Sequence, residues 1–390
     1  MDYIKSFNNA NSIINIIPKK TDILLLGEST HGTQDFYEIR AEITKQLISY
    51  DNFNIILFES DWFNLYNVNK YINNNSTCKN AKEALLNINS FPIWLWKNKV
   101  IIELIEWLRN YNETTKKKIY LLGLDCYLLI ESLEWLYNFF KLVDIDLYKN
   151  IKKTLHFMKP YKKTSDFINI CMKHPELDNF IQDYFQDLLI LIQNNSEKYK
   201  KKCKEMEIND IAVISAEICC DVMINSYEYF KKQYLEPPGS NASWNTRDQH
   251  MLMTTMKLKD KIKDSKIIIW AHNSHIGDAI ATTHGGQNFL NNDTWNLGQM
   301  CRAMFQNTYI IGFGTYDGSV LAAAKWEDAQ QIYVLNIPIK DSIEEYIYYF
   351  CKSRNINNCY IDLKQCKDIK PFNEKKKQRM IGVIYNSNNE

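Results

Sequence analysis

In Gly27–Glu28–Ser29–Thr30–His31–Gly32, a carboxylate and an imidazole stand three residues apart between two glycines. That pairing suits general acid–base chemistry. An imidazole can take a proton from water, and a nearby carboxylate stabilises the imidazolium that forms. The apolar run Ile23–Leu26 precedes this segment, and three later apolar runs also give way to ionisable groups. Ile55–Phe58 leads to Glu59, Ile119–Leu122 to Asp125, and Ile267–Trp270 to His272, with His275 three residues on. If these runs are parallel strands of one sheet, their carboxyl ends share an edge, where α/β sheets bind ligands. Glu28, His31, Glu59, Asp125, His272 and His275 would then converge. His156, His174 and His284 read as structural or surface residues, and His250 lies on a helix leading into the fourth strand.

The helix after His31 is expected to start near Asp35, where Asp35-x-x-Glu38 fits a capping box. Phe36, Ile39, Ile43 and Leu47 mark its buried face, and Arg40 projects beside that face. A buried arginine needs a carboxylate partner, for which Glu28 and Glu59 are the candidates. Arg247, on the helix before the fourth strand, would either reach the site or pair with a core carboxylate. Gly27 and Gly32 are expected to permit a tight strand-to-helix turn.

Short β-rich runs separated by long helical patterns specify an α/β fold, with a central, mostly parallel sheet flanked by helices. Tyr309–Phe313 is a fifth clear strand, and weaker candidates lie at Ser319–Ala323, Gln331–Leu335, Tyr360–Leu363 and Ile381–Tyr385. Between the third and fourth strands the sequence reads as helix: Tyr127–Val143, Asp146–Phe157, Leu177–Asn194 and Ile208–Gln233. So long an interval is no ordinary crossover. It predicts a large helical insertion, residues 128–250, closed by a loop at Glu236–Pro237–Pro238–Gly239–Ser240, with the α/β core in 1–127 and 251–390.

The 390 residues are 45% hydrophobic and 24% charged, an ordinary globular composition. A formal charge of +1 leaves no electrostatic footprint for nucleic acid. No run approaches the roughly 20 apolar residues of a membrane span, and the N-terminus lacks a signal-peptide pattern. Ten cysteines without a CxxC pair fit reduced thiols. The expectation is a cytoplasmic protein acting on a small-molecule substrate, with no nucleic-acid or membrane partner, as a monomer or weak homo-oligomer.

No G-x-S-x-G elbow is present, which disfavours a serine nucleophile at Ser29, and lone cysteines such as Cys126 and Cys301 are usually packing residues. Residue types alone leave three readings open. One is hydrolysis by histidine-activated water. Another is a metal-dependent hydrolase using the His/Glu cluster, since H-x-x-H is a feasible ligand spacing. The third is a non-catalytic binding protein that keeps the fold.

Several segments together resemble the erythromycin esterase family from about residue 20 to 386. They include Leu26-GESTHG, Phe36-Tyr37 with Arg40-Ala41-Glu42, Phe58-Glu59-Ser60-Asp61-Trp62, Phe91-Pro92-x-Trp94-x-Trp96 and Gly123-Leu124-Asp125-x-Tyr127. Trp107-Leu108-Arg109 with Tyr111-Asn112, Ser243-Trp244-Asn245 with Arg247-Asp248, Ala271-HNSHIGDA, Leu297-Gly298 and Ile381-Gly382-Val383-x-Tyr385 complete the set. The resemblance implies an α/β core with a helical insertion and cofactor-free, metal-free cleavage of an ester, a macrolide lactone or a related one, as in antibiotic resistance. It implies that His31 is the general base, flanked and oriented by Glu28 and Glu59, with Arg40 and His272 completing the catalytic set. His275, Arg247, Asp125 and Asp35 would contact substrate. Asp35 stands where the family usually has Glu, and the chain stops soon after Tyr385, where relatives are expected to continue.

Overall fold

The computed structural model describes residues 3–161, 163–209, 211–237, 240–284, 287–288 and 294–387. Its centre is a five-stranded sheet of β1 (Ile23–Leu26), β2 (Ile55–Asp61), β3 (Tyr120–Asp125), β4 (Ile267–Trp270) and β5 (Thr308–Ile311). All neighbours pair in parallel, in the spatial order β3-β2-β4-β1-β5. The register sets Leu26 opposite Trp270, Trp270 opposite Phe58, and Phe58 opposite Gly123. Residues one or two positions further on therefore lie side by side, so Glu28, His272, Glu59 and Asp125 follow the order of the strands. The chain order hides this, because β4 enters late, between β1 and β2.

Alternate residues of each strand point to opposite faces, and both faces are covered, which is why the runs are apolar throughout. On one face Leu24, Leu26, Ile56, Phe58, Ile268 and Trp270 pack against α1 (Gln34–Asp51), α2 (Trp62–Ile72) and α3 (Lys99–Thr114). On the other, Ile23, Leu25, Ile55, Leu57, Ile267 and Ile269 join one continuous core with the inserted helices. Each fully buried Ile or Leu there contributes about 1.5–3 kcal/mol.

The insertion comprises α4 (Leu129–Val143), α5 (Ile145–Met158), α6 (Thr164–Met172), α7 (Pro175–Asn194), α8 (Ser196–Glu205) and α9 (Ile211–Leu235). α10 (Ala242–Lys261) returns the chain to β4 and runs through the 250/251 boundary drawn from sequence. Residues 128–250 thus share the sheet's core. In the loop expected before α10, Pro238 and Gly239 lie outside the described residues.

The weaker strand candidates stay out of the central sheet. Ser319–Ala322 pairs antiparallel with Gln331–Val334, and Cys359–Ile361 with Ile4–Ser6. Ile381–Tyr385 forms single bridges, from Ile381 to Thr30 and from Ile384 to Ala323. Among the described residues, no helix is long and apolar enough to cross a membrane.

Candidate functional site

The loop after β1 is held from three sides. Gly27 N–H donates to the Ile311 carbonyl at 2.8 Å, Ile381 N–H donates to the Ser29 carbonyl at 2.7 Å, and His31 N–H donates to the Ile381 carbonyl at 3.3 Å. The Tyr37 hydroxyl donates to the His31 carbonyl at 2.6 Å. Neither Gly27 nor Gly32 has a positive φ. They are needed for close approach instead: a Cβ on Gly32 would sit 1.9 Å from the Leu321 carbonyl oxygen, and one on Gly27 would sit 2.0 Å from Asn273 Oδ1.

The expected capping box is not formed. α1 begins one residue earlier, at Gln34, and its N-cap is Thr33, whose hydroxyl is hydrogen-bonded to that of Thr30. Glu38 instead accepts from Gln34 Nε2 at 2.5 Å. At its other end α1 stops on Asn52, which takes the left-handed conformation (φ 62°) that asparagine tolerates.

His31 is oriented by one carboxylate. Its Nδ1 lies 2.9 Å from Glu28 Oε1, and Glu28 Oε2 accepts from the Arg40 guanidinium. Arg40 is wholly buried, donates from Nε to the Phe36 carbonyl at 3.1 Å, and lies over the rings of Trp270 (4.6 Å) and Tyr37 (5.0 Å). It therefore acts behind Glu28 and does not line the cleft. His31 does line it, and its Nε2 is free of hydrogen bonds among the described residues. The cleft is about 2380 Å³ and also bears Asp35, Trp94, Trp244, Ser274 and Phe313. Asp35 is exposed there in the first turn of α1, apart from the buried charges.

Glu59, expected to flank His31, feels the His31 charge but spends its hydrogen bonds on other groups. Its Oε1 accepts from Arg247 Nη2 at 2.8 Å and lies 3.2 Å from His275 Nε2, while Oε2 accepts from the His272 backbone N–H at 2.8 Å. Arg247 also forks onto Asp125, from Nε at 2.8 Å and from Nη2 at 2.7 Å. Sequence left open whether Arg247 reaches the site or pairs with a core carboxylate. It pairs with two buried carboxylates, Asp125 and Glu59, and is not among the residues that line the cleft beside His31.

Two residues that sequence reading did not single out as site residues complete this second cluster. Asp248, fully buried, lies 2.7 Å from His275 Nδ1 through Oδ1 and accepts from Leu297 N–H at 2.8 Å through Oδ2. Trp244 stacks on the His275 ring, with centroids 4.4 Å apart and planes within 4°. Trp244, Arg247 and Asp248 lie at i, i+3 and i+4 on α10, one helical face. That spacing was the available signal. A further buried acid, Asp61, accepts from Tyr127 N–H at 2.6 Å and Leu128 N–H at 2.9 Å, tying the start of the insertion to β2. Burial and the neighbouring Asp125 push it up to about 8.

His272 and His275 are pulled in opposite directions by their surroundings. Burial, reinforced by His31 alongside, pushes His272 down to about 3, so it is neutral. Its Nδ1 lies 2.8 Å from the Ser274 hydroxyl, and its ring centroid is 4.8 Å from that of His31. Burial disfavours a charge on His275 too, but Asp248 and Glu59 override it and hold its pKa at about 9. Arg247 Nη1, 2.9 Å from Nε2, opposes that charge and is outweighed. Burial would likewise raise Glu59, yet the charges of His275 and Arg247 hold it well below the usual carboxylate range.

Ser29 Oγ is buried and has no base on it. Cys126 and Cys301 are buried thiols raised by burial, Cys301 to about 12, and all ten cysteines are free. Among the described residues, no three His, Cys, Asp or Glu side chains converge as ligands of one ion. The carboxylates are turned to arginines, imidazoles and backbone N–H groups.

Residues 48–390 match the family model described as erythromycin esterase. Among curated proteins, the chain is 21% identical to an erythromycin esterase type II of Escherichia coli over 77% of this chain and 71% of that one. It is 22% identical to a hydrolase of Bacillus subtilis, described as putative, over 82% and 71%. Among solved structures, a Bacillus cereus protein superposes with a TM-score of 0.71 at 17% identity, covering 93% of this chain and 84% of that one. A succinoglycan biosynthesis protein gives 0.68 at 19%, covering 98% and 89%. A histidine-to-asparagine mutant of the erythromycin esterase EreC, in its open conformation, gives 0.65 at 16%, covering 89% and 87%. These likenesses establish the shared fold.

Proposed function

Because this chain belongs to the erythromycin esterase family, we propose that it hydrolyses an ester, a macrolide lactone or a related one, with water activated by His31. The observation that carries the reading is the state of one side chain: His31 has Nδ1 spent on Glu28 and Nε2 turned free on a cleft. With Nδ1–H donating to the carboxylate, Nε2 holds the lone pair and can accept a proton from water. The attacking oxygen then bonds to the ester carbon as the proton passes to Nε2, giving a tetrahedral oxyanion. Collapse expels the alkoxide, which takes the proton back from the imidazolium.

Glu28 stabilises that imidazolium, and Arg40 holds the Glu28 carboxylate in place. Neutral His272, 4.8 Å away by ring centroid, adds no competing positive charge. The wide cleft admits a substrate larger than a simple ester. Metal-free chemistry and a single small-molecule partner belong to the same reading. The test is a panel of macrolides and aryl esters, with acid release followed for the wild type and for His31→Asn. Release that depends on His31 supports the reading, and release that persists without it overturns it.

A further inference from the structure

We propose that Asp248 is a positioning residue of the His31 site, holding His275 as a cation that anchors Glu59 against His272. This rests on the reading of His31 as the base. It assigns His275 and Asp248 a place in a chain of contacts rather than against substrate.

The chain is continuous from helix to sheet. Asp248 Oδ1 meets His275 Nδ1 at 2.7 Å, His275 Nε2 meets Glu59 Oε1 at 3.2 Å, and Glu59 Oε2 takes the His272 N–H at 2.8 Å. All four side chains are buried. Around the His275 ring stand Glu59 from β2, with Arg247, Asp248 and Trp244 from α10, and Asp125 beyond Arg247 at the end of β3. His272 lies in its own turn. The carboxylates of Glu59, Asp125 and Asp248 gather where Arg247 supplies a single guanidinium, so a second cation relieves their mutual repulsion. The coplanar Trp244 face favours that cation further. A fixed anion at Glu59 then holds the His272 backbone, and with it the ring packed beside His31.

Asp248→Asn separates charge from shape. The asparagine oxygen can keep the Leu297 N–H, while its NH₂ donates to His275 Nδ1, leaving the proton on Nε2 facing Glu59. His275 and residue 248 become neutral together, so the net charge of the cluster is unchanged and the fold is not strained.

The experiment is a pH titration of ¹⁵N-labelled wild type, Asp248→Asn and Asp248→Glu by NMR, with ester hydrolysis measured over the same range. In the wild type the His275 ring should titrate near pH 9. In Asp248→Asn it should titrate below pH 7, and the His272 amide resonance should shift as its bond to Glu59 loosens. Hydrolysis at pH 8 should fall about ten- to a hundredfold in kcat with KM little changed, and Asp248→Glu should regain part of both signals. A His275 titration unmoved in Asp248→Asn overturns the proposal. So does a rate at pH 8 within twofold of wild type once His275 is neutral. If wild type and His31→Asn are equally inert, the function reading has failed, and the NMR titration still decides whether Asp248 holds the charge.

Discussion

Glu28→Gln removes one charge from a pair with no access to water. Glu28 is 1% exposed and Arg40 is fully buried. The carboxylate takes donors on both oxygens, from His31 and from Arg40. A glutamine offers one acceptor oxygen, so its NH₂ must face either the guanidinium or the His31 N–H. Removing one partner of a buried ion pair costs about 3–5 kcal/mol. The Phe36 carbonyl and the faces of Trp270 and Tyr37 stay on Arg40 and offset part of this. The net expectation is about 3 kcal/mol, read as a fall of about 1 M in the urea midpoint. Arg40→Met in the same background removes the stranded cation, so Glu28→Gln/Arg40→Met should recover most of the midpoint. Hydrolysis should stay lost, because His31 still lacks an anion on Nδ1. A single mutant as stable as wild type, or a double mutant that recovers no stability, refutes the argument about the pair. A double mutant with wild-type hydrolysis refutes the role of the Glu28 charge.

Gly32→Ala should lower the thermal midpoint and the hydrolysis rate together, since its Cβ would displace the Leu321 carbonyl. The cost expected in differential scanning calorimetry is about 1–3 kcal/mol. Acid should destabilise the fold through two histidines held neutral. Burial puts His250 at about 4 and His272 at about 3, both below their unfolded values. A lowered histidine lets the unfolded chain bind the proton first, so stability is full above about pH 6.5 and is lost as pH falls toward those values. His250→Gln should therefore lose less stability than wild type between about pH 7 and pH 5 in urea titrations, and an equal loss would contradict the assignment.

What the sequence made legible was local. Each of the five strands is an apolar run interrupted by Gly or a charge, and the Gly27–Gly32 loop carries its Glu28–His31 pair within three residues, so no long-range contact was needed to see it. The partners across the fold were not legible. Glu59 was expected on His31, but β4 enters between β1 and β2 and presents His272 there, so Glu59 turns to His275 and Arg247. Asp248 hid beside Arg247 because residue type does not say which of two neighbouring polar groups on a helix is buried. The capping box misled for a related reason. Thr33 became the N-cap through contacts with Thr30 and the Ser319 carbonyl, 286 residues away. Helical periodicity likewise showed an insertion without showing which of its residues join the sheet's core.

The most direct test of the central claim is the steady-state rate of ester hydrolysis by His31→Asn beside the wild type, with folding checked by urea midpoint. Asparagine can hold the Glu28 contact but cannot take a proton from water. kcat should fall by about two to four orders of magnitude with the midpoint preserved. A folded His31→Asn protein that hydrolyses the same ester at the wild-type rate would contradict the claim.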